Sequence, residues 1–388
     1  MKKTLVALGV FGSIGSVNAQ SSITLYGIID NGIGWVSNEA PKVGAVGHSA
    51  FKALTSVGSG DRWGLTGSED LGGGLRAIFT LENGFNAQNG SASQGGRLFG
   101  RQAFVGLSSD RFGTITLGRQ YDFGFEYVAP LTGWLQFGSI YGAHVGDSDN
   151  LLATFRLNNT VKYQSVNYGG LVLGGLYSFS NAAGGFAQND AFGIGARYSN
   201  GPLSLAATYL HLRNPSSGQS TNPTGAVGGE YTAGASSIFY NAGFVTKDEI
   251  LTAGAGYKFG PALIDFVFSN VRFRYIDGTH LRLNNYEVNA SYYVTPAFVA
   301  GVGYTYTDGD GEGGMSTNQY ATGNRPRWHQ LDLGAVYLLS KRTDVHASVI
   351  WQRSAGDAAV SVLTLNTGVA GAGQSKQIGV NFGLRHKF

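Results

Sequence analysis

Along most of the chain, apolar and polar residues alternate one by one in runs of about ten residues. The last run shows this best: Ile378, Val380, Phe382, Leu384, His386 and Phe388 alternate with Gly379, Asn381, Gly383, Arg385 and Lys387. Phe298, Ala300, Val302, Tyr304 and Tyr306 alternate with Val299, Gly301, Gly303, Thr305 and Thr307, and Tyr286, Val288, Ala290 and Tyr292 with Glu287, Asn289 and Ser291. A period of two sends successive side chains to opposite faces of a strand, so each run predicts a strand with one greasy and one polar face. Sixteen strands are predicted, at approximately 22 to 36, 59 to 69, 75 to 86, 99 to 108, 113 to 119, 159 to 166, 171 to 178, 191 to 198, 203 to 212, 249 to 259, 262 to 272, 283 to 293, 298 to 307, 327 to 338, 343 to 352 and 377 to 388.

Tight connectors such as Glu69 to Gly74, Ser109 to Phe112, Ser199 to Pro202, Gly260-Pro261 and Thr295-Pro296 alternate with eight long polar ones, among them 37 to 58, 120 to 158 and 308 to 326. All the tight turns therefore lie at one end of the molecule and all the loops at the other. That asymmetry predicts an all-β fold, a 16-stranded antiparallel transmembrane β-barrel. In lipid every backbone N–H and C=O must be paired, so the first and last strands have to meet, and an even count puts both termini at the short-turn, periplasmic end. The greasy series then faces hydrocarbon. Arg62, Thr66, Ser68, Arg76, Thr80, Glu82, Lys162, Gln164, Arg197, Glu287 and Asp332 face the lumen, which sixteen strands leave wide enough for water. Aromatics at strand ends, as at Tyr177/Phe179, Tyr257/Phe259, Tyr337 and Phe388, suit the girdles at the two membrane interfaces, although the ordinary β-propensity of Tyr and Phe explains some of them.

Composition narrows the class further. Sixty-one glycines, 48 aromatics, no cysteine and 13% charged residues in 388 exclude a disulfide scaffold, and the aromatics exclude a disordered glycine-rich polymer. Lys2 and Lys3, the apolar stretch Thr4 to Val17 and then Val17-Asn18-Ala19 have the order of a signal peptide. Cleavage after Ala19 is expected, with residues 20 to 388 forming the barrel and a constriction loop at about 120 to 158. Loss of the two lysines takes the formal net charge from +3 to +1, which calls for no nucleic-acid partner.

The stretches SSITLYGIIDNGI at 21 to 33, DRWGLTGSEDLGGGLRAIFTLENGF at 61 to 85, GGRLFGRQAFVGLSS at 95 to 109, FGTITLGRQYD at 112 to 122 and the terminal QIGVNFGLRHKF resemble, in order, the general trimeric porins of β-proteobacteria. The resemblance runs from Gln20 to Phe388. It implies an outer-membrane homotrimer of 16-stranded barrels, each a passive channel for ions and small hydrophilic solutes and narrowed by its third long loop. It also implies contact with outer-membrane lipid and lipopolysaccharide, and delivery to the barrel-assembly machinery through a C-terminal strand whose Phe388 looks like the family's assembly signal. In similar porins, arginines on the wall face acidic groups of the third loop. The matching arginines are Arg62 in DRWG, Arg101 in FGRQAF and Arg156 in FRLNN, and the loop, Gln120 to Asn158, offers Asp122, Glu126, Asp147 and Asp149. Trp63 and Leu65 face lipid, so Arg62 faces the lumen. Arg101 shares parity with the outward Ala103, Val105 and Leu107, so its role requires a bulge or a strand end beyond the bilayer. Leu65-Thr66-Gly67 departs from the family's LRG and removes a lumen positive charge, which argues against strong anion selectivity and leaves a weak to moderate preference. Taken singly, each arginine is as well read as a solvated rim charge.

No other chemistry competes. Without cysteine, and with seven histidines never in HExxH or HxxEH spacing, no metal site or cofactor is expected. Gly254-Ala255-Gly256 lies within a strand, so close packing against aromatics explains it better than a phosphate cradle. Asp308-Gly309-Asp310-Gly311-Glu312 is too short for a Ca²⁺ loop and reads more simply as a solvated acidic loop tip. Two alternatives stand against a channel: an outer-membrane barrel enzyme, which needs a nucleophile or an acid pair at the rim, and a surface adhesin, which needs long repetitive loops. The sequence displays neither feature.

Overall fold

Among the described residues, seventeen strands form one antiparallel sheet: β1 (Ser22–Glu39), β2 (His48–Thr55), β3 (Arg62–Gly72), β4 (Leu75–Gly84), β5 (Gln102–Ser109), β6 (Gly113–Gln120), β7 (Leu157–Gln164), β8 (Leu171–Ser178), β9 (Asp190–Asn200), β10 (Leu203–Arg213), β11 (Val245–Phe259), β12 (Ala262–Tyr275), β13 (His280–Thr295), β14 (Phe298–Glu312), β15 (Pro326–Leu338), β16 (Thr343–Gly356) and β17 (Lys376–Lys387). This computed structural model describes residues 22–40, 45–215, 224–231, 238–239, 245–314, 320–358, 360–363 and 374–388. The expected signal segment, 1 to 19, lies outside them.

The sheet closes on itself. β1 pairs with β17 from Ile28↔Lys387 to Val36↔Gly379, and Phe388 exchanges two backbone hydrogen bonds with Gly27, each 3.0 Å. On its other edge β1 pairs with β3 along its lower half (Ser22↔Ser68 to Ile28↔Arg62) and with β2 along its upper half (Asn31↔Thr55 to Glu39↔His48). β2 and β3 are thus two halves of one wall strand, parted where residues 56–61 leave the sheet, and the wall has sixteen strands. The tight turns behave as expected: between β3 and β4 they reduce to Gly73 (φ +61°) and Gly74 (φ +78°), a left-handed pair suited to a two-residue hairpin.

Two expectations need correction. Residues 37 to 58 are not all loop, because His48–Thr55 is strand; Ser49, Ala50 and Ala53 are weak strand formers, and Leu54 puts an apolar residue on the inner face, which blurs the alternation. Asp308 to Glu312 is not a loop tip but the end of β14, where Asp308 pairs with Arg327 (3.0 Å) and Asp310 with Arg282 (2.8 Å). No cluster of potential metal ligands occurs among the described residues.

The wall is inside-out relative to a water-soluble protein. Ile194 (62% exposed), Leu333 (46%) and Phe382 (52%) stand on the outer surface, whereas their neighbours Asp332 and Asn381 are buried on the inner one. Exposed apolar rows on every side of a closed ladder make sense only in hydrocarbon. No helix among the described residues is long and apolar enough to cross a membrane, and the strands do the crossing. A charge on the outer face is expected to be costly. Leu333→Arg should destabilise the folded protein in lipid vesicles by roughly 2–4 kcal/mol, while Thr66→Arg, on the lumen face, should cost far less in the same denaturant titration.

Candidate functional site

Between β6 and β7 the chain runs from Tyr121 to Arg156 and folds into the barrel as a series of short helical turns, Gly124–Val128, Ala129–Leu131, Gly133–Gln136, Ile140–Gly142 and Val145–Asp147. Its apolar side chains find an apolar part of the inner wall: Phe123, Tyr127, Val128 and Leu131 join one buried cluster with Val172, Leu176, Leu210, Val267 and Val271. Glycines in the wall make the seat. A Cβ on Gly301 would lie 2.2 Å from the Phe137 ring, one on Gly334 2.0 Å from the Phe137 carbonyl, and one on Gly254 2.6 Å from Leu131. Gly254 and Gly256 therefore accommodate a leucine of the loop.

Polar anchors fix the seated loop. The Gly133 N–H donates to Glu287 Oε1 (2.6 Å), Gln136 Nε2 to Asp265 (2.7 Å), Asn289 Nδ2 to the Leu131 carbonyl (2.9 Å), and Asn381 Nδ2 to Ser139 (2.9 Å). The centre of this network is His144, fully enclosed, with Nδ1 2.5 Å from Asp149 and Nε2 2.9 Å from Glu287; Ser269 also donates to Asp149 (2.5 Å). Burial alone would strip the imidazole of its proton, but the two carboxylates prevail and hold its pKa well above the ordinary 6.5. Asp147 sits beside them. Burial, reinforced by Asp149, pushes its pKa up to about 7, while it accepts the Leu152 and Thr154 N–H groups at 2.8 Å.

The acidic loop residues expected to face the arginines do not. Asp122 is buried and accepts from Asn150 Nδ2 (2.7 Å) and the Phe125 N–H (3.2 Å), and Glu126 turns to the wall, where Lys162 lies 2.6 Å and Gln164 2.9 Å away. Asp147 and Asp149 are engaged as described. Lys162, Arg197, Glu287 and Asp332 do point inward, and the loop covers all of them but Arg197: Lys162 donates to the Tyr121 carbonyl (2.9 Å), Asp332 is buried beside Gly142, and Arg197, itself exposed, lies 5.2 Å over the Tyr127 ring. Arg76 faces inward at the short-turn rim and pairs with Asp110 (2.8 Å).

Because the loop occupies the β8 to β16 side, the remaining gap lies against β1 to β6, and there the structure brings Arg62, Arg101 and Arg156 together. They line one cavity of about 740 Å³, whose loop side is Phe125, Trp134, Leu135, Ile140 and Leu152. Arg101 precedes β5 rather than lying in it, which releases it from the strand's parity. Its Nε is 2.8 Å from Glu82, which Arg62 also approaches at 3.6 Å and to which Tyr26 donates at 2.8 Å. Arg101 and Arg156 lie over the Tyr121 ring, at 5.8 and 5.0 Å. The segment 56–61 shapes the same gap. Asp30 and Asp61 accept its N–H groups (Gly58 to Asp30, 3.0 Å; Ser56 to Asp61, 3.2 Å), and the Val57 carbonyl accepts from the Ile140 N–H of the loop at 3.0 Å.

Sequence reasoning missed Arg97, Arg119 and Glu230. Glu230 bridges both arginines, 3.0 Å from Arg97; burial would raise its pKa, but Arg119 and Arg97 hold it below the usual range. Arg119 has outward parity, and a register shift at Gly118 (φ +137°), where a Cβ would come within 2.1 Å of the Ala103 carbonyl, is what lets it turn in. A glycine just before an arginine at the strand end was the available signal. Among the described residues, the gap is thus lined by three guanidinium groups, Arg62, Arg101 and Arg156, against one carboxylate, Glu230, while Arg97, Arg119 and Glu82 are their ion-pair partners behind that lining.

Residues 4–357 match the model of the Gram-negative porin family. An outer membrane porin protein of Bordetella pertussis is 34% identical and one of Delftia acidovorans 33% identical, both over the full length of either chain. Among solved structures, the anion-selective porin from Comamonas acidovorans superposes with a TM-score of 0.70 at 25% identity, covering 95% of this chain and 100% of that one.

His144→Gln should leave the barrel folded but loosen the loop, since Asp149 and Glu287 would be buried without a countercharge, a cost of roughly 3–5 kcal/mol. Amide exchange over 121–156 should quicken and open-channel current should become noisier. In the wild type the sign of the pH dependence follows from the raised pKa values. The His144 contribution is complete below its unfolded value of 6.5 and is lost as pH climbs through the folded one, while Asp147 adds a loss in the same direction between 3.8 and about 7. The protection factors of the loop amides, with the intrinsic base-catalysed rate divided out, should therefore fall toward alkaline pH; protection factors unchanged between pH 6 and 10 would refute the clamp.

Proposed function

This chain belongs to the Gram-negative porin family and is an outer-membrane general diffusion channel, and from that premise we propose that its arginine-rich gap gives the channel a weak to moderate preference for small anions. The observation that carries the proposal is the excess of guanidinium groups over carboxylates around the gap, together with a loop whose pore side is apolar rather than acidic. A ring of one sign raises the local concentration of counter-ions without stripping their water. The anion-selective porin from Comamonas acidovorans supports the reading. The preference differs in mechanism from the expected opposition of wall arginines and loop carboxylates, because the arginines share the cavity with Trp134 and Leu135 and not with the acidic groups of that loop.

The same reading has the first 19 residues direct export, Tyr121 to Arg156 act as the constriction, three copies assemble as a homotrimer in contact with lipopolysaccharide, and Phe388 present the last strand to the barrel-assembly machinery. Phe388 suits that role, since its backbone completes the seam with Gly27. Hydrolysis of lipid or peptide by the purified protein would favour a barrel enzyme instead; the relatives are channels.

Planar-bilayer recordings test the proposal. Closure in steps of three would match the trimer, and reversal potentials in a KCl gradient should show chloride favoured over potassium. Arg62→Glu and Arg156→Glu should each lower that permeability ratio by at least fivefold, since loss of one unit charge at 4 Å in water is worth about 1 kcal/mol and the new carboxylate adds to it. Cation preference in the wild type, or ratios unmoved by either substitution, would overturn it.

A further inference from the structure

The inward loop turns polar side chains to the wall and apolar ones to the passage. Between Tyr121 and Arg156 eight residues reach solvent, and five of them, Phe125, Pro130, Leu135, Ile140 and Leu152, are apolar. Of the other three, Glu126 is drawn to the wall by Lys162 (2.6 Å) and Gln164 (2.9 Å), and Gln136 by Asp265 (2.7 Å). Phe125, Leu135, Ile140 and Leu152 line the gap. Packing against the wall accounts for Phe123, Val128 and Leu131, which are buried there, but not for the open faces of these four. Apolar surface left facing a wet passage is unfavourable, and a solute with an apolar body relieves that cost by covering it.

Arg156 supplies the second half of the argument. It lines the same cavity at 4% exposure, yet it makes no ion pair among the described residues; its Nε has no hydrogen-bond partner there, and its Nη2 lies 3.5 Å from the Tyr121 hydroxyl. A guanidinium so enclosed ordinarily has a carboxylate beside it. The neighbouring carboxylates are already engaged, Glu82 by Arg62 and Arg101, and Glu230 by Arg97 and Arg119. Tyr121 joins the two halves of the gap: the Arg156 guanidinium lies 5.0 Å over its ring, and the Phe125 ring stacks on it with centroids 4.4 Å apart. A single ring therefore separates an unpaired cation from the start of the apolar face.

We infer that the gap is a binding subsite for small carboxylates that carry an apolar body about one ring in size, with the carboxylate on Arg156 and the body against Phe125 and Leu135. The subsite rests on the anion-channel reading and names the solutes that the channel retains. A filter made of charge alone treats acetate and benzoate alike, whereas this lining holds benzoate longer. The planar fork of a guanidinium matches a carboxylate, and a volume of about 740 Å³ is that of a small-molecule site. An uncharged ring leaves Arg156 without its partner, and a compact hydrophilic anion leaves the apolar side wet. Such a site speeds passage of its solute at low concentration and saturates at high concentration, because entry requires binding and exit requires that the binding be weak.

Chloride current through the full-length mature protein in planar bilayers, in KCl at pH 7, is titrated with potassium benzoate, potassium acetate and the neutral isostere benzamide. Half-block by benzoate is expected at a concentration about tenfold or more below that of acetate, a ratio that burial of roughly 55 Å² of apolar surface accounts for, and benzamide should not block in that range. Leu135→Asn/Leu152→Asn should shrink the benzoate-to-acetate ratio to about threefold or less, and Arg156→Gln should raise the half-blocking concentration of benzoate about tenfold. Lys341→Gln, in a short turn at the rim, should behave as wild type, and heat-modifiable mobility in gels checks that each variant has folded. Equal block by benzoate and acetate in the wild type, block by benzamide at benzoate's concentration, a ratio unaltered in the double asparagine variant, or block unmoved by Arg156→Gln overturns the subsite. The wild-type comparison alone decides the matter if a variant fails to fold. KCl without added solute separates the two readings: a chloride-preferring channel that treats benzoate as acetate defeats only the subsite, and cation preference or absence of current defeats the anion channel itself.

Discussion

Hydrocarbon offers no hydrogen bonds, and the rest of the architecture depends on that constraint. A strand edge left open in the bilayer forfeits several kcal/mol per backbone group, so β17 must return to β1 and the final residue must reach Gly27. Closure in turn fixes which face of every strand meets lipid, and hence where each polar residue is allowed. The lumen is polar because the outside cannot be. Even the interruption of the wall at residues 56–61 respects the constraint, since the Gly58, Ser56 and Asp61 N–H groups are taken up by Asp30, Asp61 and Ser56.

The lumen is divided unequally. Over β8 to β16 the inner face is a seat for the inward loop, with glycines where rings lie flat, apolar side chains where they pack, and carboxylates and amides where backbone groups need partners. Over β1 to β6 it is a charged rim open to water. Glu287 illustrates the difference. A carboxylate on the lumen side of a wide barrel reads as a group in contact with ions, yet here it holds a backbone N–H and an imidazole and is closed off from solvent. Charge that governs passage must line the open gap, as Arg62, Arg101 and Arg156 line the cavity.

Most of the wall was legible in the sequence because alternation repeats the same physical decision at every second residue. β8 was located to the residue, and most other strands to within a few. The arginines were legible as motifs, but the acidic partners were not. Whether Asp122 faces an aperture or caps Phe125 depends on the path of a 36-residue loop, and no local pattern encodes that path. Glu230 was harder still, since it comes from a different loop and meets Arg119 only through closure of the barrel. His48–Thr55 escaped for a simpler reason, its small residues giving too faint an alternation.

The seating of Phe137 against Gly301 and Gly334 bears on how such a protein evolves. The bore depends on how deeply the loop sinks into the wall, and that depth is set by side chains that are absent. A single methyl group at either glycine would lift the loop and narrow the passage while leaving every residue in contact with the solute unaltered. Permeability, and with it exposure of the cell to whatever diffuses in, is therefore adjustable from positions that a survey of pore-lining residues would overlook.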